Sequence, residues 1–193
     1  MAAALVEEIT LADKLAAIDD VLDSINLTDY ASQSPEQARH NATALRRIES
    51  RIATHVGGAV RAVAATSPGK TASQSLARGF GRDQRAAHRQ LRDADVVSQA
   101  GAAERAAADG DISHRHATVI GKALQDLPAE TTVEQRAFAE RALIRDAQRY
   151  SPVDLATRAR RITDQYKPEP DVDVDEDRLL RRREALARPR PAC

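Results

Sequence analysis

Apolar residues recur along this chain at the three- and four-residue spacing of an α-helix, and no segment alternates apolar with polar as a half-buried strand does. Leu11, Leu15, Ile18, Leu22 and Ile25 fall at spacings of 4, 3, 4 and 3. That is an a/d heptad stripe, and it predicts an amphipathic helix over residues 5–25. Asn26 to Ser34 breaks it. Ser34-Pro35-Glu36-Gln37 then starts a second helix, with Ser34 as cap, Pro35 at the first helical position and Gln37 completing a capping box. Ala38, Ala42, Leu45, Ile52, Val56, Ala59 and Val63 keep heptad spacing to about residue 64. Glu49 fills one apolar slot with Ile48 beside it, and Gly57-Gly58 weakens the middle. Two heptad helices joined by a short polar loop predict an antiparallel hairpin. The same seams are also able to zip onto a second copy.

The remainder continues in helices. Ser67-Pro68 opens one over about 68–78, Gly79-Phe80-Gly81 turns the chain, and another runs from about Asp83 to Asp95. A short helix near 98–108 ends at Asp109-Gly110, and Ser113 caps one that stops before Pro128. Thr131-Thr132-Val133-Glu134 and Ser151-Pro152-Val153-Asp154 start helices reaching about Tyr150 and Tyr166. Residues 167–177 are an acidic linker, Leu179 to Ala187 a basic helical segment, and Pro189 to Cys193 a Pro-rich end. The expected fold is therefore all-α: an N-terminal heptad hairpin (1–66), a helix-turn-helix-like multi-helix bundle (67–166), and a linker with a largely disordered tail (167–193). Aromatic residues are only 3% of the chain, so Ala, Leu, Val and Ile must fill the core, which again favours closely packed helices.

The formal net charge is zero but unevenly spread. Residues 1–35 carry net −6 and residues 36–105 net +6, an asymmetry that marks either a polyanion-facing middle or an acidic arm packed on it. The single cysteine, Cys193, allows no intramolecular disulfide and builds no zinc site alone. No apolar run reaches the roughly 20 residues of a membrane span. Glu7 and Glu8 after Met1–Leu5 do not suit a signal peptide, so a cytoplasmic location is expected.

The most informative segment surrounds Gly81. A small residue, Ala77, stands on one helix, Gly81 follows four residues on, and a new helix begins at once, as a helix-turn-helix requires. The second helix carries Arg82, Arg85, His88, Arg89 and Arg92 on one broad face, while Ala86, Ala87, Leu91 and Ala94 are placed to pack. Arginines so placed can read guanine edges or clamp phosphates. Lys70, Arg78 and Arg47 are candidate phosphate contacts. The plainer alternative is a solvated face salt-bridged to Asp83, Asp93 and Asp95, and Gln90 falls where the motif usually wants a core residue.

Other motifs lack their context. Ala64 to Thr71 matches a relaxed phosphate loop, but no strand precedes it and a capped helix start explains Ser67-Pro68. His114 and His116 are two apart, so on a helix they point to different faces and do not form a metal pair. Asp171, Asp173 and Asp175 echo a calcium loop, yet Glu176 and Arg182 stand where Gly and Glu are needed. No nucleophile-base arrangement is found. Neither catalytic residues nor a cofactor, metal or small-molecule substrate is expected, and the function indicated is binding.

Arg82-Asp83-Gln84-Arg85-Ala86-Ala87 with Leu91 and Ala94, then Gly110-Asp111-Ile112-Ser113 with Ala117 and Ile120, then Ala123-Leu124 and Leu127-Pro128, resembles the 13E12-repeat family, domain-of-unknown-function family 222 of actinobacterial proteins. Ala139-Glu140, Leu143, Ala147, Pro152, Leu155 and Ala159 continue the resemblance, which covers roughly residues 5–185. It implies a helical domain that usually forms the N-terminal part of HNH endonuclease-like proteins, many of them associated with mobile or repeated elements. The family's catalytic His and Asn residues have no counterpart in this sequence. It ends soon after Arg181-Arg182-Arg183-Glu184, so the resemblance implies a truncated, nuclease-less member or a free-standing domain. Leu76 to Ala117 is also similar to the helix-turn-helix region of ParB-type partition proteins at Gly110, Ile112, Ser113, His116 and Ala117, although Val96-Val97 stands in place of that family's Leu-Pro turn. The expected partner is DNA, bound through Arg82, Arg85, His88, Arg89, Arg92, Arg78 and Lys70. The alternative is a protein-interaction or homodimerisation module built on the N-terminal heptad helices.

Overall fold

The structure, a computed structural model, describes residues 9–67, 70–80, 83–167 and 181. Among them it holds eight α-helices, a 3₁₀ turn and no strand, so the chain is all-α as its periodicity predicts. In order these are α1 (Leu11–Asp23), the 3₁₀ turn (Leu27–Tyr30), α2 (Pro35–Thr66), α3 (Lys70–Phe80), α4 (Gln84–Ser98), α5 (Gly101–Asp109), α6 (His114–Gln125), α7 (Val133–Ala147) and α8 (Pro152–Asp164). Among the described residues no helix is long and apolar enough to cross a membrane.

The helix starts follow from local chemistry. Ser113, Thr132 and Ser151 each accept a hydrogen bond from the backbone N–H three residues on, which satisfies a donor that has no partner inside the helix. Ser34 and Gln37 exchange both bonds of a capping box. Asp83 caps α4 by accepting from the Ala86 N–H at 2.6 Å. Gly110 ends α5 in the left-handed conformation, φ 82°, which a side chain would strain. The segment expected as a linker and tail lies outside the described residues, except for Lys167 and Arg181.

The chain divides into two compact units, residues 1–48 and 49–193, and the division falls inside α2. Helix α2 itself ends at Thr66.

In the first unit α1 buries none of its residues. The heptad stripe is exposed throughout, from 40% at Ile25 to 72% at Leu11, rather than closed into the core of a hairpin. The first half of α2 has little apolar area to set against it, because Ala38 and Ala42 fill two of its seam positions.

The second unit is organised around α6, which packs on α4, α5, α7 and α8. Its core joins Ile120 and Leu124 of α6 to Val97, Leu143 and Leu155, each within 1% of complete burial. Ala100, Ala103 and Ala107 are fully buried and let α5 lie close. The heptad stripe of α2 does not enter this core: Ile52 and Val56 are exposed, and α2 buries Thr54, Gly57 and Val60 on a different face. That face is the one whose small residues allow close packing, with Gly57 facing the Ala94 side chain of α4 and the imidazole of His114.

Several helix ends are satisfied from other helices. Glu140 of α7 accepts from the Ala102 and Ala103 N–H groups at 2.8 and 3.0 Å, capping α5, whose own N-cap is Ala100. Ser50 of α2 accepts from the His114 N–H at the start of α6 at 2.6 Å. Arg136 of α7 donates to the Leu124 carbonyl at 2.6 Å, and Arg51 of α2 to that of Ala108 at 2.8 Å.

Candidate functional site

Helix α4 follows α3 across the short segment 81–83, and the two helices pack together. The buried residues of α4 are Ala87, Ala94, Val96 and Val97. Arg85, His88, Arg89 and Arg92 lie at spacings of 3, 1 and 3, which places them on one face, and all four are exposed. The structure therefore brings together three of the arginines and the histidine singled out from the sequence. Ala87 and Ala94 are buried as expected, while Ala86 and Leu91 are half-buried. Arg78 is exposed near the end of α3, and Arg47 is exposed on α2 in the other unit. Lys70 begins α3, but its side chain lies outside the described residues, as does Arg82 entirely.

The α4 face borders two grooves. One, between α2 and α4, is lined by Glu49, Ile52, Val56, Arg89 and Gln90 among others. The other, between the C-terminal half of α4, α6 and α8, includes Arg115, Thr118, Lys122, Thr157 and Arg160. Asp93 and His114 line both, so the grooves adjoin. The cations of the second groove are missed by sequence reasoning. Arg115 and Lys122 are visible there only as surface positions seven apart, and pairing them with Arg160 requires knowing that α6 lies on α8.

His114 and His116, whose spacing puts them on different faces of a helix, have separate structural partners. His114 Nδ1 lies 3.3 Å from the Thr54 hydroxyl. His116 Nδ1 accepts from the Ser113 N–H at 3.2 Å, and its Nε2 donates to the Tyr150 carbonyl at 2.9 Å, joining the start of α6 to the turn between α7 and α8. This pattern is that of a neutral imidazole with its proton on Nε2. Burial holds both rings below their usual pKa, against the opposing pull of Asp93 and Glu104 on His114 and of the Tyr150 carbonyl on His116. The phosphate-loop-like stretch, Ala64 to Thr71, runs from the last turn of α2 into the start of α3 with no strand before it among the described residues, and its Pro68-Gly69 lies outside them, as do the acidic residues 171–176.

A family model described as a domain of unknown function (DUF222) matches residues 33–189. No curated protein and no solved structure matches the chain.

Proposed function

The chain belongs to the DUF222 family, and from that premise we propose that it is a DNA-binding helical domain in which α4 meets the duplex. The observation that carries this is the exposed row of Arg85, His88, Arg89 and Arg92 on a helix anchored by Ala87, Ala94 and Val97. Anchoring matters because a positioned row of guanidinium groups matches regularly spaced phosphates and base edges, whereas a mobile one loses that advantage. The local excess of positive charge, net +6 over residues 36–105, adds a field that favours a polyanion. In this reading Arg82, Arg78 and Lys70 supply further backbone contacts, and the chain acts by binding rather than by catalysis. The setting is the cytoplasm, beside the HNH nucleases and mobile elements of actinobacteria that the 13E12-repeat resemblance implies.

The test is the affinity for duplex DNA against salt concentration, for the wild-type chain and an Arg85→Ala/Arg89→Ala pair. Each lost phosphate contact lowers the steepness of log K against log salt by about 0.9. The pair is expected to flatten it by about 2, and an unchanged slope would remove α4 from the interface.

A second reading is favoured by the exposed seam of α1, from Leu11 to Ile25: a protein-interaction or dimerisation module. Exposed apolar stripes of this length mark contact sites more often than bare surface. Light scattering after size exclusion separates the two. A dimer abolished by Leu15→Asp or Leu45→Asp, in a chain that does not bind DNA, would favour this second reading.

A further inference from the structure

The groove between α4, α6 and α8 is set apart by its charge. Arg115, Lys122 and Arg160 line it together with the hydroxyl-bearing Thr118 and Thr157, and among the described residues Asp93 is the one acid that lines it. Arg115, Lys122 and Arg160 are all exposed. Lys122 lies 4.0 Å from Asp93, a solvent-exposed pair worth little by itself, so Lys122 remains available to a second anion. Arg115 and Lys122 are two turns apart on α6, about 10 Å along its axis. A row of cations of that length suits a polymer of evenly spaced charges better than a single carboxylate. Among the described residues no Phe, Tyr or Trp lines the groove to serve as the buried anchor that a protein partner normally engages. The groove adjoins the α4 face, because Asp93 and His114 belong both to it and to the groove that contains Arg89.

We propose that this groove seats the sugar-phosphate backbone of the duplex whose major groove meets α4. The DNA then runs from Arg89, past Asp93 and His114, onto α6 and α8, with Arg115, Lys122 and Arg160 each facing a phosphate. This inference rests on the DNA-binding reading of α4 and extends the interface to two further helices. Asp93 stands in the path as the group that limits affinity.

The experiment measures fluorescence anisotropy of a labelled 20-base-pair duplex across a sodium chloride series. It compares the full chain with Arg115→Gln/Arg160→Gln, Arg85→Ala/Arg89→Ala and Asp93→Asn. The groove pair is expected to weaken binding on the order of tenfold at about 0.1 M salt and to flatten the salt slope by about 2. Asp93→Asn is expected to tighten binding several-fold. Melting curves that match the wild-type chain establish that the variants fold. If the groove pair binds DNA with wild-type affinity and slope while the α4 pair is impaired, the groove inference is overturned and the α4 reading stands. If neither pair changes the slope of a chain that does bind, or the wild-type chain does not bind, the α4 reading itself falls and the groove inference falls with it.

Discussion

Gly121 of α6 lies directly against the backbone of Val96 in α4. A Cβ placed on Gly121 would collide with the Val96 carbonyl oxygen and would sit 2.8 Å from Val96 Cγ1. Real Cβ atoms do not approach so closely, and a helix backbone cannot yield as the tip of a flexible side chain does. The contact joins the central helix of the second unit to the helix that bears the arginine row, so it sets where that row is held. Gly121→Ala is expected to destabilise the chain by about 3 kcal/mol, at the upper end for overpacking because the obstacle is main chain. Urea unfolding measures this, and a variant as stable as wild type would mean that α4 and α6 do not meet at Gly121 and Val96.

Gly57 and Gly58 predict the opposite outcome. A Cβ at Gly57 would meet the Ala94 side chain at 3.8 Å, an ordinary contact, and one at Gly58 would meet nothing within 4 Å. Both residues lie inside α2. Alanine is expected to raise stability by about 0.5–1 kcal/mol at Gly58 through helix propensity, with a similar or slightly smaller gain at Gly57. A rise in thermal midpoint for both, beside a fall for Gly121→Ala, is the pattern to look for.

Glu140 caps a helix to which it does not belong. Its carboxylate takes two N–H groups of α5, whose N-cap residue is an alanine. Glu140→Ala leaves both donors without this partner and is expected to cost about 1–2 kcal/mol, the usual range for losing a cap. Glu140→Gln retains a carbonyl oxygen and is expected to cost less. Hydrogen exchange at the Ala102 and Ala103 amides locates the effect, and unchanged protection in Glu140→Ala would contradict it.

Stability is expected to fall as the solution is acidified below neutrality. Burial, the main cause, holds His114 and His116 below the usual imidazole pKa of about 6.5. The unfolded chain then takes up protons before the folded chain does. The stabilisation from the two neutral rings is complete above the unfolded value and is lost as pH falls through it toward the lower folded values. For His116 a proton on Nδ1 would also face the Ser113 N–H that now donates to it. The urea midpoint is expected to drop between about pH 7.5 and about pH 5.5, and less steeply in His114→Asn/His116→Asn. A midpoint that rises on acidification would reverse the sign.

The seam of α1 and the core of the second unit should respond differently to mutation. Leu15 is 57% exposed, so Leu15→Asp in the monomer is expected to change stability by no more than about 0.5 kcal/mol. Leu124 is 1% exposed, and Leu124→Ala is expected to cost about 2–5 kcal/mol. A large loss from Leu15→Asp, scaling with protein concentration, would reveal that a second copy covers the seam.

The candidate site was partly legible in the sequence. The face of Arg85, His88, Arg89 and Arg92 follows from spacing alone once α4 is recognised as a helix, and its exposure agrees with that reading. Arg115, Lys122 and Arg160 were not legible, because nothing local says that α6 lies against α8.

The helices, and where most of them start, follow from local sequence. A Ser or Thr cap acts on the backbone within three residues, and an apolar period of 3.6 is a property of one segment, so Ser34, Ser113, Thr132 and Ser151 mark their helices without reference to the rest of the chain. Which face of α2 is buried depends instead on its partners from distant parts of the chain. The heptad stripe through Ile52 and Val56 and the small-residue stripe through Thr54, Gly57 and Val60 are both possible packing faces. The choice depends on which surface lets Ala94 and His114 approach, and burial energy belongs to a pair of surfaces rather than to either one. The same holds for Glu140 on α5 and Gly121 against Val96, whose roles exist only once distant helices have been brought together.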